Sequence, residues 1–278
     1  MPEGFFLPGI PASVFWLFVG TGILIQGISK SGFAGGVGIL TIPLMVLVMP
    51  VDKVVASLLP LLVLLDLNAV YHHRDNKDWR LILEIFLPAC GGILLGALVW
   101  WNIGRDGVEP YAALLKRFIG AIAILFALYI LAREWAEQWA RRLRLRRMAA
   151  LVLGFTAGFA STIAHAAGPL VSFYFFAQNL GKSLFVGTTA WTFTLINLTK
   201  LPFFVATELI RKDVLFFDLY LIGLIPVGSY LGKWLHDRVS ERVFNRIIMI
   251  FVFVAGVQLF FDMNLVQIFL SDTLGRWM

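Results

Sequence analysis

Cysteine is almost missing from this 278-residue sequence: Cys90 stands alone, so neither a disulfide nor a cysteine metal cage can form within the chain. Charge is scarce as well. Only 14% of residues are charged and 59% are hydrophobic, with a mean hydropathy of +0.84. Soluble domains carry about 25% charged and about 45–50% apolar residues, so a soluble globular fold is excluded. Carboxylates number 17 against 23 lysines and arginines, a net charge of +6. The basic residues sit in short clusters between apolar segments, where membrane topology rather than phosphate contact places them. The first ten residues hold no basic side chain, only Glu3, so they lack the positive region of a secretory signal and the first apolar segment is expected to be retained. At about 20 residues per crossing helix, the chain has length for roughly ten crossings and none for a sizeable extramembrane domain.

Apolar stretches run over 12–29, 33–49, 54–71, 81–101 and 118–132, then, after an arginine-rich stretch, over 149–164, 168–177, 183–206, 214–234 and 244–261. The two sets of five repeat landmarks in order. Ser31 and Ser161 are 130 apart, as are Gly38 and Gly168; Asp66 and Asn197 are 131 apart, Asp78 and Asp213 135, and the pair Gly92 and Gly96 lies 136 before Gly228 and Gly232. This is the drift of a duplicated unit with small loop insertions. An odd number of segments per unit makes the second enter from the opposite side, an inverted repeat. The expected fold is therefore all-α: a polytopic integral membrane protein of two inverted repeats of about five helical segments, the first pair in each half short or re-entrant. The first repeat covers 1–132, an Arg-rich cytoplasmic linker 133–148, and the second repeat 149–278. Fourteen of the 23 basic residues then fall in loops on the linker's side, seven on the other, and Lys30 and Lys200 remain inside apolar stretches. That bias places both termini outside.

The first tip reads Ser29-Lys30-Ser31-Gly32-Phe33-Ala34-Gly35-Gly36-Val37-Gly38. A glycine-rich turn that opens a helix presents backbone N–H groups to an anion at the positive end of the dipole; Gly32, Gly35, Gly36 and Gly38 equally suit close helix packing. A lysine within the membrane costs roughly 2.5–3.5 kcal/mol unless hydrated or paired, or snorkels to an interface, and both readings stay open for Lys30 and Lys200. The second tip carries Ser161, Thr162 and His165. With Asn197, Thr188, Thr189 and Thr192 these form a lining rich in donors and poor in carboxylates, which suits an anion. Asp66 is the exception, a candidate coupling group or a partner for a lysine. The spaced glycines Gly92/Gly96 and Gly228/Gly232 read as helix-contact surfaces.

With these motifs the whole chain resembles the sulfite exporter TauE/SafE family. The likeness rests on Gly32-Phe33-Ala34-Gly35-Gly36-Val37-Gly38 with Pro43, on Gly158-Phe159-Ala160-Ser161 running to Gly168-Pro169, and on Ala56-Ser57-Leu58 and Gly187-Thr188-Thr189. In the second half Ile163-Ala164-His165-Ala166-Ala167 replaces the family's glycine cluster. The resemblance implies export of a small sulfur anion, sulfite or an organosulfonate such as sulfoacetate, across a bacterial inner membrane. No cofactor, metal or nucleic-acid partner is expected; the partners are the anion and the bilayer, with a homodimer left open. Two alternatives remain: a passive anion channel sharing the same lining, and an intramembrane enzyme, since Ser161 and His165 at i, i+4 share a helix face.

Overall fold

A computed structural model describes residues 4–32, 37–132, 147–236, 238–266 and 268. Gly35, Gly36 and most of the linker, including the arginines between 141 and 146, lie outside them. Among the described residues the chain is helical throughout. The first half contains α1 (Ala12–Gly32), a 3₁₀ turn (Val37–Leu40), α2 (Thr41–Val46), α3 (Val51–His72), α4 (Trp79–Asp106) and, after a 3₁₀ turn at Glu109–Tyr111, α5 (Ala112–Leu131). The second contains α6 (Arg147–Ala164), α7 (Gly168–Ala177), α8 (Lys182–Ala206), α9 (Lys212–Ile222), α10 (Leu224–His236) and α11 (Glu241–Phe260).

Local chemistry explains the boundaries. Asp78 caps α4, its carboxylate accepting the Arg80 and Leu81 N–H groups at 2.9 and 3.2 Å, which satisfies donors the helix leaves free. Ser240 caps α11 through the Val243 N–H. Pro50 precedes α3 with an extended backbone. Five helices are long and apolar enough to cross a membrane, and six when α9 and α10, bent by 42° at Gly223, count as one span. Their outward faces carry leucine, phenylalanine and valine, as at Leu87, Leu125, Phe216 and Val227, the arrangement of a polytopic membrane protein.

Within the first pair of each half, the first member is long, 21 residues in α1 and 18 in α6, and the shortness falls on the second: six residues in α2 and ten in α7. The chain after α1 doubles back along it. The Gly38 N–H donates to Ser29 Oγ at 2.8 Å, and Thr41 Oγ1 donates to the Gly22 carbonyl at 2.9 Å.

The two halves exchange partners. α4 packs on α6, α1 on α10, α3 on α8 and α5 on α11. The glycines show how closely. A Cβ on Gly158 would stand 2.0 Å from the Ala89 carbonyl oxygen, and one on Gly27 would stand 3.1 Å from the Ile225 oxygen; one on Gly92 would meet the Phe155 oxygen at 1.9 Å, and one on Gly228 the Leu24 oxygen at 2.8 Å. Each pair maps onto the other through the repeat offsets. Gly120 and Gly256, 136 residues apart, are as close: a Cβ on Gly120 would stand 2.6 Å from the Gly256 carbonyl oxygen, and one on Gly256 3.1 Å from the Gly120 oxygen. Small residues let backbones approach this closely where lipid supplies no hydrophobic drive between helices.

Candidate functional site

α1 and α6 end near one another: Lys30 in the last turn of α1 and His165 just past α6 line one cavity. His165 follows the last residue of α6 with φ 46°, the left-handed conformation that glycine usually supplies just past a helix end. Its N–H returns to the Ser161 carbonyl at 2.9 Å, and the Ala166 N–H to the Ala160 carbonyl at 3.3 Å. A β-carbon in that conformation carries strain, and the side chain it aims is the one with a use. His165 Nε2 lies 2.9 Å from the Val55 carbonyl of α3 and Nδ1 lies 2.9 Å from Lys200 Nζ. A carbonyl only accepts, so Nε2 carries the proton and Nδ1 accepts from the lysine.

Lys200 is completely buried on α8. Its ammonium donates to the Ser161 carbonyl at 3.1 Å, to Ser161 Oγ at 2.9 Å and to His165 Nδ1. Three donors meet three acceptors, all neutral. The head group is thus turned into the protein and does not snorkel. Lys30, in the last turn of α1, instead forms an ion pair with Asp66 on α3, and its ammonium lies 4.9 Å over the Phe193 ring. The second Asp66 oxygen accepts from Asn197 Nδ2 at 2.6 Å. Asp66 and Asn197, 131 residues apart in sequence, are bonded to each other in space.

Between these groups lies a cavity of about 60 Å³, lined by Gln26, Lys30 and Gly38 from the first tip and by Ser161, His165, Gly168 and Asn197 from the second half. In a measure where one water takes roughly 10–15 Å³, that is room for a few waters or one small oxyanion. The first turn of α7, from Gly168, opens on it and brings the positive end of its dipole. Lys200 stands behind this wall, holding Ser161 and His165. Thr162 faces elsewhere: its hydroxyl bonds the Gly158 carbonyl at 2.9 Å, and its carbonyl accepts the Trp100 indole N–H at 3.0 Å. Thr188, Thr189 and Thr192 are not among the described lining residues; Thr188 accepts the Asp78 N–H at 3.0 Å instead. Ser31 and Gly32 close α1, with no side-chain placement described. Gly38 has a packing reason to be glycine, since a Cβ there would stand 1.9 Å from Gln26 Oε1.

Gln26 is the lining residue that the sequence reading overlooked. It precedes Lys30 by four residues and so shares its helix face, a usable signal. Among the described residues no group of three or more His, Cys, Asp and Glu side chains is placed to hold a metal ion. Electrostatically the site holds two lysines and one carboxylate within the protein interior. Two lysines and several neutral donors against one carboxylate make a lining that suits an anion.

No curated protein and no solved structure matches the chain. Residues 18–259 match the family model described as sulfite exporter TauE/SafE, and with nearly the whole helical chain covered, the protein belongs to that family of membrane transporters of sulfur anions.

Proposed function

We propose that the protein exports a small sulfur oxyanion or organosulfonate, sulfite or sulfoacetate, out of a bacterial cell across its inner membrane, driven by the membrane potential, and that it is not an enzyme. The observation that carries this reading is the charge surplus around the cavity: Lys30 is answered by Asp66, while Lys200 has only neutral acceptors. The anion binds against Lys30, Ser161, His165, Asn197 and the first turn of α7, while Gly35, Gly36 and Gly38 of the first tip allow it close approach. Asp66 competes with the anion for Lys30, so arrival of substrate loosens an existing ion pair instead of meeting a bare charge.

The exchange of helix partners between the halves supports an inverted repeat of 1–132 and 149–278 about a cytoplasmic linker at 133–148. The outer loops of that topology meet one another: Lys53 pairs with Asp213 at 2.7 Å, Lys116 with Asp262 at 3.1 Å, and Asn264 donates to the Leu47 carbonyl at 2.9 Å. Rocking of one half against the other about the central cavity then gives alternating access. With a negative interior, outward movement of one negative charge gains about 2.3 kcal/mol per 100 mV, so no coupling ion is required.

Reconstituted vesicles with an imposed potential test this reading by following sulfite and sulfoacetate efflux. Saturable efflux that rises with interior-negative potential, without unitary currents, is the expected result; absence of efflux for both anions overturns the substrate class, and unitary currents would establish a channel.

A further inference from the structure

A second carboxylate lies inside the helix bundle, apart from the cavity. Asp218 on α9 is 3% exposed, and neither of its oxygens has a hydrogen-bond partner. The hydroxyl of Ser57 on α3 faces it, and that hydroxyl is also fully buried and unbonded. Among the described residues no cation is bonded to either group; Lys212, the basic residue of α9 itself, lies at its first turn, six residues before Asp218. The charged residues of α3 are Asp52, Lys53 and Asp66, and Lys53 is bonded to Asp213 while Asp66 is bonded to Lys30 and Asn197. α10 carries Lys233 at its far end, and Lys30 is the charged residue of α1, whose Trp16 stacks on Phe217. The described residues before α1, whose Phe5 also stacks on Phe217, carry no charge.

Packing does not explain this acid. The repeat offsets of 135 and 136 put Leu83 and Ile82 at the equivalent positions of α4, so an apolar residue serves the same place in the first half. α4 runs unbroken from Trp79 to Asp106, whereas α9 ends four residues beyond Asp218, just before the 42° bend at Gly223. An ionised carboxylate in such surroundings costs so much that the group takes up a proton instead, and a neutral acid can then share a hydrogen with a hydroxyl.

We propose that Asp218 is a proton-binding site, holding its proton while α9 lies against α3 and releasing it to water only when that seam opens, so that opening is favoured as pH rises. The seam is distinct from the anion cavity, and the proposal stands or falls without any transport measurement. The sign follows from linkage: a carboxyl that stays protonated in the folded protein and ionises in the unfolded one binds more protons when folded, so its contribution to stability is lost as pH rises.

The test uses the full-length protein in detergent or lipid. Infrared spectra at neutral pH are expected to show a carboxylic-acid C=O band that Asp218→Asn removes and Ser57→Ala shifts. Because asparagine is an isostere of the neutral acid, D218N is expected to keep the wild-type Tm at acid pH. Between about pH 5 and about pH 8 the wild-type Tm falls more steeply than that of D218N. An identical infrared band in D218N, or the same pH dependence of Tm in D218N and wild type, overturns the proposal, since either shows that Asp218 holds no proton in the folded protein.

Discussion

The two tips of the molecule solve the same problem in different ways. Lys30 ends α1, reaches the cavity and is balanced by a carboxylate; Lys200 lies behind the cavity wall and is balanced by nothing charged within hydrogen-bond distance among the described residues. The first arrangement is an ion pair that an incoming anion can exchange. The second is a fixed charge whose three hydrogens orient Ser161 and His165. On the proposed function, a binding site assembled from both would have one contact that switches and one donor cluster that does not, which suits an anion that must be held and then released.

Mutations can break this comparison, and the largest effect is expected from the exchangeable side. Lys30→Ala removes the contacting cation and leaves Asp66 facing the cavity. Efflux measured in vesicles is expected to fall about 100-fold, about 2.8 kcal/mol at 1.4 kcal/mol per factor of ten. Adding Asp66→Asn to K30A removes the repulsive partner and is expected to restore about tenfold of that loss. Equal rates in the single and double mutants would show that Asp66 does not oppose the anion.

The next effect comes from the field. Lys200→Met keeps the volume and removes the charge, and a rise of about tenfold in KM is expected, since about 1.4 kcal/mol of binding is a factor of ten. A drop in maximal rate with unchanged KM would instead assign Lys200 to the moving part of the cycle. The smallest effects on transport concern the scaffold the tips rest on, where the change is read in stability instead. Gly158→Ala forces a Cβ to within 2.0 Å of the Ala89 oxygen, while Gly27→Ala meets Gly228 Cα at 2.9 Å. Overpacking costs typically about 1–3 kcal/mol, so thermal unfolding is expected to show G158A near the upper value and G27A near the lower. Equal losses would mean that the two equivalent seams carry equal strain after relaxation.

Much of this arrangement was legible beforehand because charge within an apolar chain is conspicuous. Lys30 and Lys200 stood out as the two basic residues that no loop claimed, and Asp66 as a candidate partner for a lysine, which it is for Lys30; its bond to Asn197 could not be read from the sequence. The order of the segments followed from hydropathy for the same reason. Less legible was anything decided by direction rather than by composition. Thr162 lies within the second tip yet turns its hydroxyl along α6, because helix phase sends it toward Gly96 of α4. Gln26 is uncharged and drew no notice, although the turn of chain above α1 closes on it. The break at Gly223 has no proline or charge at the junction itself, only Ile222 and Leu224 on either side. Asp218 differs from Lys30 and Lys200 in a way composition cannot register, since its isolation depends on which neighbours are already engaged.

The central claim is that a positive surplus at the cavity binds the anion and that Asp66 holds part of that surplus in check. Equilibrium binding of sulfite to the purified protein, compared between wild type and Asp66→Asn, tests it most directly. Removing the negative charge while keeping an amide for Asn197 is expected to tighten binding about tenfold, about 1.4 kcal/mol. Weaker binding in D66N, to the extent seen in K30A, would contradict the claim and make the Lys30–Asp66 pair part of the scaffold.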